Sequence, residues 1–157
     1  MTDVGGFNDG CVSESRAPFD PSKFQSPTAV TLTMKKRVGV RNADSNVASE
    51  NFWHFMSRLN HKILGSAAKL HGRQLKTVAV IETNADGRLH YHAMIDRPCY
   101  CSFATFKNVV IDQWLRTDFG YRQINIQHEA DAGWTDYMLE FRQKESLLDF
   151  IDWNNCH

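Results

Sequence analysis

The chain has 157 residues, 42% of them hydrophobic and 11% aromatic, which is enough for one domain with a real core and ordinary for a soluble protein. No apolar run approaches the roughly 18 residues that span a bilayer, and the start Met1-Thr2-Asp3-Val4-Gly5-Gly6 lacks the basic and apolar regions of a secretory signal, so the expected compartment is the cytoplasm with no membrane partner. The formal net charge of zero argues against a simple polyanion binder.

The charge is unevenly spread. Residues 1–22 hold one basic and four acidic residues, residues 23–97 twelve and five, and residues 98–157 five and nine. The basic centre either offers a positive face to phosphates or is a solvated helix and loop surface. The four cysteines, at 11, 99, 101 and 156, include no Cys-x-x-Cys pair and read as free thiols of a reducing compartment.

Residues 1–27 are rich in Gly, Ser, Asp and Pro without an apolar period and read as a flexible tail, leaving 28–157 as a single domain. Residues 28–34 alternate apolar and polar side chains, the pattern of a half-buried strand. Lys35, Lys36, Arg37 and Arg41 make the next segment a basic loop, which ends in the capping residues 42–46. Apolar residues at 52, 55, 56, 59 and 63 then give a helical stripe from Val47 to about Leu64, closed by Gly65. His54 and His61 lie on that helix and read as surface or core-edge residues.

Residues 75–82 and 88–96 form the second and third strands. Between them, Ala85-Asp86-Gly87 fits a three-residue loop with Gly in the left-handed position. That loop pairs Asn84 with Arg88, and therefore Glu82 with His90 and Val80 with His92. A second helix over 102–117, ended by Gly120, precedes a fourth strand over 121–127. A short helix is expected over 134–144, and another helical turn or two over 146–153. The order β-α-β-β-α-β-α predicts an α+β fold, a split βαβ antiparallel sheet with helices on one face.

The run Arg88-Leu89-His90-Tyr91-His92-Ala93-Met94-Ile95 carries the most chemistry. Strand side chains alternate, so His90 and His92 share a face, roughly 7 Å apart, while Tyr91 faces the core. Neutral imidazoles are common ligands of divalent metals, and the loop register adds the carboxylate of Glu82. Tyr121 reads as structural, and His128 as a weak candidate for the same site.

A Thr31-Leu32-Thr33 strand, a His90-Tyr91-His92 strand with Glu82 upstream, and a late Gly133-Trp134-x-x-Tyr137 stretch occur in that order. Over residues 29–144 this resembles the HUH endonuclease superfamily, and more closely the rolling-circle replication initiators of small plasmids and single-stranded DNA phages. The resemblance implies a site in which His90, His92 and Glu82 hold Mg²⁺ or Mn²⁺ and Tyr137 attacks single-stranded or melted origin DNA, leaving a 5′-phosphotyrosyl link and a free 3′-OH. It makes Thr31-Leu32-Thr33 mainly structural, with polar groups there able to approach DNA. Trp134 either stacks a base or anchors its helix. The chain is too short for an internal helicase domain, so the expectation is a separate helicase partner.

One departure stands out. Replication initiators of this type have Tyr-x-x-Lys, and here the third position after Tyr137 is Glu140. Lys144, two turns on, either supplies the missing charge from a shifted position or is a surface lysine. Three other readings stay open: a small single-strand transposase of the same superfamily, a degenerate initiator that binds DNA without cutting it, and an RNA-recognition domain, whose expected sheet aromatics are replaced here by histidines.

Overall fold

The computed structural model describes residues 21–130, 133 and 151–157. Its framework is a four-stranded antiparallel sheet with two main helices against one face, the split βαβ arrangement expected from the pattern. The strands are β1 (Pro27–Met34), β4 (Thr77–Thr83), β5 (Leu89–Asp96) and β6 (Gly120–Gln127), in the spatial order β4-β5-β1-β6. The helices α1 (Ser45–Leu64) and α3 (Phe103–Leu115) make the two crossovers. The basic loop contains a small ribbon, β2 (Arg37–Val38) with β3 (Arg41–Asn42), and a short α2 (Ser66–His71) follows Gly65.

Local chemistry sets these boundaries. Asp44 caps α1 by accepting from the Val47 backbone N–H at 2.8 Å, and Gly65 ends the helix at φ 56°. Ser102 caps α3 through the Thr105 N–H at 3.2 Å. Gly120 begins β6 rather than ending a helix. A Cβ there would stand 2.0 Å from the Trp114 carbonyl oxygen, so no larger residue fits the close approach of strand to helix.

The sheet's two faces differ in chemistry. On the helix face, Val30, Leu32, Tyr91, Ala93 and Ile95 pack against Phe52, Phe55, Phe106, Val110 and Trp114. Tyr91 stacks on Phe52 with ring centroids 4.2 Å apart, and Trp114 meets Phe55 edge-on at 5.5 Å. Trp114 also satisfies its buried indole N–H on the Thr33 carbonyl at 3.2 Å, tying α3 to β1. On the opposite face a smaller cluster of Phe24, Ala29, Val78, Val80, Met94, Ala130 and Ile151 covers one end of the sheet.

Two segments depart from the sequence reading. Residues 21–27, which composition assigns to the tail, enter the fold. Phe24 is buried in the smaller cluster, and Asp96 accepts from the backbone N–H groups of Gln25 and Ser26. At the other end, the described part of 146–153 is extended at Ile151, which bridges Val80, followed by a 3-10 turn at Trp153–Asn155. The physical reason is the free edge of β4. Asp152 N–H donates to the Ala79 carbonyl, and Thr77 and His157 exchange two bonds of 2.8 Å, so the edge's unpaired groups are satisfied.

Asp152 locks this strap. Its buried carboxylate accepts from Tyr91 Oη at 2.7 Å, Ser49 Oγ at 2.9 Å and Asn155 Nδ2 at 2.7 Å. Burial, and then the neighbouring carboxylate, pushes the Tyr91 phenol far above its usual range, so it stays a donor. Cys99, Cys101 and Cys156 are free thiols, and Cys11 lies outside the described residues. No helix among the described residues is long and apolar enough to cross a membrane. Removing the donor with Tyr91→Phe is expected to cost about 1–3 kcal/mol in urea unfolding. An unchanged unfolding midpoint would show that Asp152 does not depend on it.

Candidate metal centre

The turn between β4 and β5 sets the site's register. Asn84 N–H donates to the Arg88 carbonyl and Gly87 N–H to the Asn84 carbonyl, both at 2.8 Å, with Gly87 at φ 78°. This is the three-residue loop expected from Ala85-Asp86-Gly87, and it sets Glu82 opposite His90 and Val80 opposite His92. On the other side of β5, the pairing with β1 sets Thr31 opposite His92 and Thr33 opposite His90. All five polar side chains therefore share the face that the helices leave uncovered.

Both imidazoles are oriented from β1. Thr31 Oγ1 stands 3.2 Å from His92 Nδ1, and Thr33 Oγ1 stands 3.1 Å from His90 Nδ1. The rings are nearly parallel, 13° apart in plane and 6.4 Å between centroids, as expected for residues two apart on one strand. With Nδ1 on the β1 side, each Nε2 is turned away from β1. Glu82 reaches diagonally and brings Oε2 to 2.9 Å from His92 Nε2. His90 Nε2 is buried and has no hydrogen-bond partner.

That orphaned nitrogen is informative. Burial lowers the His90 pKa, against the raising influence of the Asp86 and Glu82 carboxylates, so its imidazole is held neutral. A neutral ring carries one N–H. Placing it on Nδ1 lets it donate to Thr33, whereas placing it on Nε2 would bury an unsatisfied donor. His90 therefore presents a bare Nε2 lone pair, the form in which imidazole binds a metal.

The donor chemistry of Glu82, His90 and His92 thus suits a divalent cation, and their orienting partners are in place. The three are arranged as a contacting pair with a third ring alongside. Among the described residues, no three His, Cys, Asp or Glu side chains stand at the spacing of a closed metal cluster. The surroundings are polar. Arg88 lies over the Tyr121 ring at 4.5 Å and pairs with Asp86 at 3.2 Å, and Asn125 is exposed opposite Thr31. The Asp86 carboxyl is held below its ordinary range, first by the Arg88 backbone N–H.

The other candidates separate clearly. Tyr91 is fully buried on the helix face. His128 turns to the Phe103 ring, 4.6 Å away, and to Glu129. His54 and His61 are exposed on α1. Tyr121 lies beneath Arg88, consistent with a supporting role. Trp134, Tyr137, Glu140 and Lys144 lie outside the described residues. Thr31 and Thr33 do more than build the strand, since they orient the histidines. The signal was the matching period of Thr-Leu-Thr and His-Tyr-His, which becomes legible once β1 is known to pair with β5.

A family model for replication-associated proteins of the ORF2 type matches residues 27–146, most of the chain. The chain belongs to that family. No curated protein and no solved structure matches it. The matched span of this replication-associated protein begins with β1 and takes in both threonines, Glu82, both histidines and the stretch containing Tyr137 and Lys144.

The tautomer assignment has a direct readout. Long-range ¹H–¹⁵N spectra of the metal-free protein are expected to show His90 as the Nδ1–H tautomer, with the preference reduced in Thr33→Val. A predominant Nε2–H tautomer in the unsubstituted protein would contradict it.

Proposed function

We propose that this replication-associated protein is an HUH-type, metal-dependent DNA nickase and strand transferase. In this reading it cuts single-stranded origin DNA to start rolling-circle replication of a plasmid or phage. The observation that carries the proposal is the pair of imidazoles held through Nδ1 by Thr31 and Thr33, with Glu82 on the same face. Structural histidines on an exposed sheet face need no such fixing. Ligands do, because the hydrogen bond on one ring nitrogen aims the other.

Glu82, His90 and His92 would hold Mg²⁺ or Mn²⁺. When bound, the ion supplies Lewis-acid stabilisation of charge growing on the nonbridging phosphate oxygens. Tyr137 is the proposed nucleophile. Its Oη forms a bond to phosphorus as the bond from phosphorus to the 3′-oxygen breaks. The phenolic proton passes to a base, and the departing 3′-oxygen takes up a proton. The products are a 5′-phosphotyrosyl link and a 3′-OH, so the strand stays competent for rejoining or for priming. Lys144 is the proposed cation near the phosphate, in place of the lysine that Glu140 displaces. A separate helicase would open the duplex.

The chain path on either side of Tyr137 supports its assignment. Ala130 N–H donates to the Pro27 carbonyl at 2.7 Å, and Ala130 is buried with Ala29 and Met94 on the histidine-bearing face. Ile151 bridges Val80, the residue opposite His92. The stretch containing Tyr137 is thus tethered at both ends close to the histidines. Glu140 favours one second reading, an initiator that binds origin DNA without cutting it, because an acid beside the scissile phosphate repels it.

Single-stranded oligonucleotides and Mn²⁺ test the proposal through a covalent adduct on a denaturing gel. The adduct is expected with the unsubstituted protein, and is expected to be lost with EDTA, with Tyr137→Phe and with His92→Ala. An adduct that persists in Tyr137→Phe removes the nucleophile assignment. Tight DNA binding without any adduct establishes the second reading instead.

A further inference from the structure

The link between β1 and α1 concentrates positive charge. Residues 35–41 read Lys-Lys-Arg-Val-Gly-Val-Arg, with no acid among them. They fold as the β2–β3 ribbon, closed at its base by Ala43 N–H on the Lys36 carbonyl at 2.8 Å and turned at Gly39 with φ 58°. At the tip, Val40 is 89% exposed, more than any other large hydrophobic residue described.

The cations are tied mainly to neutral partners. Lys35 Nζ donates to the Asp118 carbonyl at 3.0 Å, Lys36 Nζ to the Asp86 carbonyl, and Arg37 Nε to the Gly39 carbonyl at 2.6 Å. Among the described residues, Arg41 is the one of the four with a carboxylate ion-pair partner. This is Glu50 at 3.2 Å, in an exposed pair that solvent screens. The ribbon thus keeps most of its charge for an external anion.

Its position is fixed relative to the metal centre. Lys36 is three residues after Thr33, which holds His90, so the ribbon starts within roughly 10–14 Å of that residue by chain reach. The Lys36 bond to Asp86 also fastens it to the β4–β5 turn that sets the site's register. A chain of phosphates bound at the site would continue past this ribbon.

The shape and composition favour one form of nucleic acid. Sequence-tolerant single-strand binding uses aromatic side chains as stacking platforms, and residues 35–42 contain none. A narrow two-stranded ribbon fits the major groove of a duplex, with cations contacting the phosphates on either side. Resting on the DNA reading above, we infer that the β2–β3 ribbon grips duplex DNA adjoining the single-stranded target. Arg37 and Arg41 meet backbone phosphates, and Val40 enters the groove.

Two probes test this by fluorescence anisotropy: a single-stranded oligonucleotide, and the same strand carrying a duplex stem. Arg37→Gln with Arg41→Gln is expected to weaken binding of the stem probe roughly tenfold or more. The salt slope should fall by about two, since each phosphate contact releases about one counterion. Binding and adduct formation on the bare single strand should change less than about twofold. Arg37→Gln alone, which removes only a contact within the ribbon, should lower the slope by about one even if the double variant folds poorly. Equal losses on both probes, or none on the stem probe, would overturn the inference. An unsubstituted protein that binds the stem but forms no adduct sinks the nickase reading and leaves the ribbon standing. One that forms the adduct without preferring the stem sinks the ribbon alone.

Discussion

The pairing of β1 with β5 is the constraint on which the candidate site depends. In the observed register, Thr31 faces His92 and Thr33 faces His90, and both hydroxyls lie within hydrogen-bond reach of the ring nitrogens. A slip of one residue would set Leu32 opposite one of the histidines and send the threonines to the helix face. The slip is opposed because Leu32 and Val30 are needed in the core, where each is fully buried. Trp114 adds a second lock by donating to the Thr33 carbonyl. Helix packing on one face thus fixes side-chain geometry on the other.

That division explains how a small sheet carries a polar site without losing its core. Aromatic packing on the helix face supplies the apolar burial, and the second cluster covers only one end of the opposite face. The histidine end stays partly open because Thr31, Glu82 and His92 are only partly buried there. The outer strand β4 carries Glu82 and would otherwise have a free edge. The strap at 151–157 pairs with it, and the buried Asp152 network ties that strap to Tyr91, the residue between the two histidines. The strand that bears the ligands is therefore braced from both sides.

Much of this was legible in the sequence because it rests on short-range rules. The period of two placed His90 and His92 together and sent Tyr91 to the core. The Gly87 turn was strong enough to set Glu82 against His90. The four strands and two helices followed from alternation, apolar stripes and the capping residues Asp44 and Ser102. What was missed depends on contacts distant in sequence. The role of Thr31 and Thr33 requires knowing which strand neighbours β5. Burial of Phe24 requires the second cluster, whose members are scattered from 24 to 151. The extended Ile151 is drawn out of its helical pattern by the edge of β4, which no local signal reveals. Tyr137 and Lys144 rest on sequence resemblance and on the family match over 27–146.

The central claim is that His90 and His92 present Nε2 atoms to one divalent cation. Electron spin echo envelope modulation of the Mn²⁺-loaded protein reads nitrogen ligands directly. The account predicts couplings from two imidazole nitrogens, reduced to one in either His90→Ala or His92→Ala. A Mn²⁺ spectrum without nitrogen coupling, or one unchanged by both substitutions, would contradict it.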